Sequence, residues 1–210
     1  MEVAAKLRSE AIQYYKQELL DQFDSKLDLP SLEEDNLLDV TCWVSPIDDM
    51  LLFDSDYLSQ VTSMAGVTIN GRPAFGIVNR PFFSPKTGHT YLGTMESGLF
   101  GFQTSYSDIS VEPPKYIQPF EWRRSTEIAL RKYPESIRVM APVFAGLQEE
   151  IAGVEGVGNA FLSVLESRSD LLIDLLPSLH AWDTSAMEAL LMAQMGFICD
   201  SKGLPLMYNS

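Results

Sequence analysis

The stretch Trp43-Val44-Ser45-Pro46-Ile47-Asp48-Asp49-Met50 decides how this chain is read. It closes the run Leu38-Asp39-Val40-Thr41-Cys42-Trp43-Val44, whose β-branched and aromatic side chains predict a buried strand that Pro46 ends. Asp48 and Asp49 follow in a turn, where adjacent carboxylates are either solvated or part of a cation site. A second stretch, Ala181-Trp182-Asp183-Thr184-Ser185-Ala186, lies far downstream at the head of a predicted helix. An aspartate in a first helical turn is favoured by the helix dipole alone, which is a sufficient structural reason for Asp183.

Working outward, the 210 residues suffice for one large domain or two small ones, and a hydrophobic fraction of 46% supports a core. The formal net charge of −14 disfavours nucleic acid, since an acidic surface repels the phosphate backbone. The basic cluster Arg123, Arg124, Arg131 and Lys132 is small and interleaved with Glu121 and Glu127, so it reads as a solvated face. No apolar run reaches the roughly 18 residues of a membrane helix, and the first residues do not have the pattern of a secretory leader. Cys42 and Cys199 suggest no disulfide framework. With only two histidines and two cysteines, widely scattered, zinc is not expected. The expectation is an intracellular soluble protein without membrane insertion.

Apolar spacing predicts an amphipathic helix over 2–22 and an acidic linker over 28–36. Strands are predicted over 61–69 and 74–78 around Asn70-Gly71, a strong hairpin signal, with Pro81 and Pro85 interrupting the sheet. A glycine-rich aromatic hairpin follows over 91–103. His89, in a Thr-Gly-His-Thr segment, is expected in an exposed turn. Pro113-Pro114 and Pro119 mark a boundary between an N-terminal part, 1–112, and a smaller α/β part, 113–210. In the latter, helices are predicted over 124–133, 142–152, 157–167 and 184–195, with strands over 137–140 and 171–175. Ser185 and Glu188 have the spacing of a capping box for the last helix.

The two quoted stretches resemble the signature motifs of the magnesium-dependent inositol monophosphatase superfamily. The similarity is to its 3'(2'),5'-bisphosphate nucleotidase and inositol polyphosphate 1-phosphatase branches. Those read Trp-Val-Asp-Pro-Leu/Ile-Asp-Gly/Ser-Thr and Trp-Asp-Thr/Ser-Cys-Ala. Gly76-Ile77-Val78-Asn79, Gly98-Leu99-Phe100-Gly101-Phe102-Gln103, Gly156-Val157-Gly158-Asn159 and 200–208 are similar to further family segments in the same order. The resemblance covers about 38–104 and 153–208. It implies an inositol monophosphatase-like layered fold with an antiparallel sheet in the N-terminal part and a smaller α/β part.

By that resemblance Asp48, Asp183 and the Ile47 carbonyl match metal ligands, and Gly156, Gly158 and Asn159 match a turn beside the substrate. The departures weigh against the chemistry. Ser45 stands where the family has a metal-bridging aspartate, Met50 where it has a phosphate-contacting hydroxyl, and Asp49 where it has glycine or serine. Asp49 is a possible replacement ligand. Glu33-Glu34 lies too near Trp43 to match the family's Glu-Glu metal motif. The expectation is therefore a catalytically inactive relative, needing no cofactor and serving as a subunit among other proteins. The alternative is a magnesium-dependent phosphatase acting on 3'-phosphoadenosine 5'-phosphate or an inositol phosphate, with that phosphorylated metabolite as partner.

Overall fold

The computed structural model describes residues 39–48, 50–53, 57–118, 127–131, 150–154, 156–175 and 179–208. All of them lie in one compact unit, Leu38–Ser210. The helix expected over 2–22, the linker over 28–36 and the strand over 137–140 fall outside the described residues.

Strands β1 (Val40–Asp48), β2 (Thr62–Ile69), β3 (Arg72–Ser84), β4 (Thr87–Thr94), β5 (Gly98–Ser105) and β6 (Ser110–Val111) form an antiparallel meander in that spatial order. β7 (Lys115–Ile117) adds to β5. The β2–β3 turn has Asn70 at φ 50° and Gly71 at φ 72°, the left-handed pair that an Asn-Gly hairpin turn requires. Two expectations about proline are corrected. β1 continues through Pro46 to Asp48, with an irregularity between Ser45 and Asp48 in its pairing to β2. β3 continues through Pro81 to Ser84, with a similar irregularity between Arg80 and Ser84. Proline lacks only the ladder donor, and it is tolerated at sheet edges and bulges where no such donor is needed.

A second, parallel sheet has the order β10-β8-β9, from β8 (Glu127–Arg131), β9 (Glu150–Val154) and β10 (Leu171–Ile173). Of the residues expected in helices 124–133 and 142–152, the described ones, 127–131 and 150–152, lie in strands. Short apolar runs such as Glu127-Ile128-Ala129-Leu130-Arg131 do not separate the two periods, and pairing partners distant in sequence decide the outcome.

A four-residue helix α1 (Met50–Phe53) follows β1. Helix α2 (Val157–Leu165) packs against β8 and β10 on one side and helix α3 (Ala181–Ala193) on the other. α3 lies on β2 and β3, so the order of layers is large sheet, helices, small sheet. Its sequence is rich in Ala, Leu and Met, strong helix formers, and every residue from Asp183 to Leu191 is buried. Close approach requires glycine on the sheet. A Cβ at Gly66 would lie 2.4 Å from Ser185 Oγ, and one at Gly76 would lie 2.2 Å from the Ala186 carbonyl oxygen. Leu99, Val78, Leu162, Met187 and Leu190 fill the core between these layers.

Candidate functional site

The irregularity between Ser45 and Asp48 breaks the alternation of side chains at the end of β1. Ser45 and Asp48 are buried, while Ile47 and, at the start of α1, Met50 are exposed. Asp48 pairs across the ladder with Thr62, the first residue of β2. Its Oδ2 accepts a 2.7 Å hydrogen bond from the Gly158 N–H and a 3.3 Å bond from the Thr62 hydroxyl. The Gly158 amide belongs to the first turn of α2, so the carboxylate sits at the positive end of that helix, where it is stabilised electrostatically.

Two glycines make this contact possible. Gly156 precedes α2 with φ 77°, a left-handed conformation that most side chains disfavour. Gly158 has no room for a Cβ, which would meet Thr62 Oγ1 at 2.0 Å and Asp48 Oδ2 at 3.2 Å. Between them the turn delivers Asn159, buried, whose side-chain amide donates to Gln60 Oε1 at 3.5 Å. The turn and the aspartate are thus one packed unit.

Asp183 occupies the first turn of α3. Its Oδ2 accepts the His180 backbone N–H at 2.9 Å, and the His180 ring Nδ1 lies 3.4 Å from the same oxygen. The His180 ring stacks on Trp182 with centroids 4.3 Å apart. The helix therefore begins at Ala181 with Asp183 as the capping acid, and the expected Ser185–Glu188 box is corrected. Ser185 is buried against Gly66, and Glu188 is buried deeper in the helix. Glu188 accepts bonds from Arg72 at 2.9 Å and from the Tyr208 hydroxyl at 2.6 Å. Burial, together with the bond to Glu188, pushes the Tyr208 phenol upward.

Ser45 and Asp48 pair with Met64 and Thr62 of β2, and Ser185 and Ala186 of α3 lie against Gly66 of the same strand. Asp49, with Glu33 and Glu34, falls outside the described residues. His89 does not join the site. It lies in β4, half-buried, stacked on Tyr91 at 4.5 Å and edge-on to Phe83 at 5.2 Å, which corrects the expected exposed turn. Its burial holds the imidazole below its usual range.

The described residues contain no group of three or more His, Cys, Asp or Glu arranged to hold a metal ion. Asp48, Asp183 and Ile47 offer two carboxylates and a carbonyl, donor types that magnesium accepts, because that ion is commonly bound by one or two carboxylates and completed by water and phosphate. A carboxylate oxygen already accepting an N–H retains further lone-pair capacity. The set suits a single ion. A bridged cluster would need the charge that Ser45 does not supply.

No family model matches the chain. It is 27% identical over 177 residues to 3'(2'),5'-bisphosphate nucleotidase 1 of Rattus norvegicus, covering 81% of this chain and 53% of that protein. Its sequence is similar to those of inositol monophosphatase superfamily members. It is also 26% identical over 176 residues to inositol monophosphatase 3 of Xenopus tropicalis, covering 81% of this chain and 44% of that protein. Among solved structures, a staphylococcal IMPase-II superposes with a TM-score of 0.64 at 16% identity, covering 100% of this chain and 84% of that one. An inositol monophosphatase from Zymomonas mobilis gives 0.62 at 16%, covering 94% and 72%. These likenesses establish the layered fold expected from the sequence. The chain spans about half the length of the curated relatives it matches. No described helix is long and apolar enough to cross a membrane.

Gln60 had no sequence signal pointing to it, and nothing in the sequence paired Thr62 with Gly158. Thr62 lies 96 residues from Gly158, and only the fold makes them neighbours. The Trp-Asp stretch did point to the first turn of α3, but the serine and glutamate nearby gave a plausible false cap.

Proposed function

We propose that this chain handles the same class of ligand as its relatives, a phosphate monoester on a nucleotide or an inositol, and hydrolyses it with magnesium. 3'-Phosphoadenosine 5'-phosphate and an inositol phosphate are the first candidates. The observation that carries this reading is the buried Asp48 carboxylate bonded to the 156–159 turn, with Asp183 buried in the first turn of α3. Relatives named as a nucleotidase and a phosphatase match over 81% of the chain. Asp48, Asp183 and the Ile47 carbonyl would hold the ion, with Asp49 as a further carboxylate. When bound, magnesium neutralises phosphate charge and acidifies a water. The chain's own contribution is to fix the Asp48 carboxylate through Gly158 and Thr62 and to keep the turn rigid beside it.

A second reading, a catalytically silent subunit, is favoured by specific observations. Ser45 is neutral, Met50 is exposed and carries no hydroxyl, and one oxygen of each aspartate already serves a helix end. Phosphate release from both candidate substrates, with and without magnesium, separates the two. Magnesium-dependent release supports the hydrolase. A folded chain that releases no phosphate from either substrate sinks it and leaves the silent subunit standing.

A further inference from the structure

We propose that the cleft at the C-terminal end of α3 binds a small apolar monocarboxylate of the fatty-acid class, with its carboxylate on Arg72. The cleft has a volume of about 430 Å³, within the range of sites that enclose small molecules. It is lined by Met95, Met192, Met195, Phe197, Ile198 and Pro205, with the Arg72–Glu188 pair and the Cys199 thiol in its wall. Among the described residues, the three most exposed large apolar side chains are Met195 at 89%, Phe197 at 77% and Met95 at 68%. All three line this one cleft. Covering them with an alkyl chain removes apolar area from water, and methionine adapts its shape to what it covers.

The lining itself selects the head group. Arg72 and Glu188 are its charged members, and they differ in access. The Glu188 side chain is 1% exposed and already accepts from Arg72 Nη2 at 2.9 Å and from the Tyr208 hydroxyl at 2.6 Å. The Arg72 side chain is 37% exposed, so the cation is the member that faces the cleft. Its Nη1 donates to the Leu206 carbonyl and its Nη2 to Glu188. Of the five guanidinium N–H groups, those two bonds leave three without a partner among the described residues. A guanidinium edge offers a carboxylate parallel charge-assisted bonds, which a neutral hydroxyl cannot match and a cationic head opposes.

The backbone holds this surface in place. The Gly196 N–H donates to the Leu191 carbonyl at 2.8 Å and the Met195 N–H to the Met192 carbonyl at 3.0 Å, which is the Schellman closure of α3. Those bonds occupy two of the last carbonyls of the helix, which lowers the cost of an anion near that end. The left-handed position of the motif favours glycine, yet Met195 occupies it with φ 62° and keeps a side chain at the cleft. Just below, the Gln194 side-chain amide donates to the Ile117 carbonyl and the Tyr208 hydroxyl to Glu188, so the cleft is preformed.

Cys199 reports on the cleft, because its exposed thiol lines it, while the exposed Cys42 lies in β1 outside the lining and serves as the reference. Decanoate is titrated against the whole chain while alkylation of both thiols is followed by mass spectrometry. Decyltrimethylammonium and decanol are the head-group controls, all kept below micelle formation. The expected result is saturable protection of Cys199, its rate lowered about tenfold at saturation with that of Cys42 unchanged. Both controls should bind about tenfold or more weakly, and so should decanoate to Phe197→Ser at an unchanged melting temperature. Equal protection by all these head groups would mean that Arg72 selects nothing, and would overturn the proposal. So would decanoate binding that leaves Cys199 unprotected, or no binding at all. A Cys199 that resists alkylation without ligand would also overturn it, assigning the cleft to a second copy if its rate falls with protein concentration and to the chain's own residues if not.

Discussion

At its first turn α3 directs Asp183, Thr184 and Ser185 into the protein, while just past its last turn Met195 and Phe197 are left in solvent. The buried end packs polar groups where apolar ones would be the default. The exposed end shows apolar groups where polar ones would be. Burial of a polar group is costly unless its hydrogen bonds are made; Asp183 and Thr184 make theirs, to the His180 N–H and the His180 carbonyl, whereas the buried Ser185 hydroxyl has no partner among the described residues. Exposure of large apolar groups needs no such compensation within the fold. The buried end is specified by internal structure, whereas no contact among the described residues accounts for the exposed one.

Substitutions can break this contrast, and the largest effect is expected at the buried end. Gly76→Ala drives a methyl into the Ala186 backbone, which cannot rotate away. It should destabilise the fold by about 3 kcal/mol, read from denaturant melts, as overpacking of a tight core does. A loss below about 1 kcal/mol would mean that α3 can slide on the sheet, and the site's geometry would lose its foundation.

Asp48→Ala comes next. It strands the Gly158 N–H and the Thr62 hydroxyl and should cost about 2 kcal/mol, the penalty for a buried donor without its partner. An unchanged melt would show that the 156–159 turn stands without Asp48. At the other end the sign reverses. Met195→Gly relieves the left-handed strain and should raise stability by about 1 kcal/mol, while weakening decanoate binding at the cleft. Destabilisation would instead mean that Met195 packs within the fold. The smallest effect concerns His89. Its folded-state titration lies below the unfolded one because burial penalises the imidazolium. The unfolded chain therefore binds the proton more readily, and stability is present at neutral pH and lost as pH falls. Between pH 7.5 and 5 the unmodified chain should lose slightly more stability than His89→Phe in paired melts.

Much of this molecule was legible in the sequence, and the rest was hidden for identifiable reasons. Asn70-Gly71 announced the hairpin because only that pair suits its turn, and the glycine-rich aromatic run announced β4 and β5. Helix α3 was visible, but its start was placed three residues late because Ser185 and Glu188 imitate a cap that His180 and Asp183 provide. β8 and β9 were taken for helices because five-residue apolar segments carry no period, and only parallel pairing fixes them. At the candidate site, the aspartates and the glycine turn could be picked out individually. The bond between Asp48 and Gly158 could not, since it depends on where two distant segments meet. The cleft left no trace in the sequence, because Met95 and Met195 look like ordinary core residues until their exposure is known.

The central claim is that the Asp48–Asp183 end is a phosphate-monoester site lacking one carboxylate at Ser45. The measurement that tests it most directly is magnesium-dependent phosphate release from 3'-phosphoadenosine 5'-phosphate by the unmodified chain and by Ser45→Asp. The account predicts turnover in both, with the variant faster by about tenfold or more, as expected when a missing charge is restored to a cation site. Two folded proteins that release no phosphate at any magnesium concentration would contradict it.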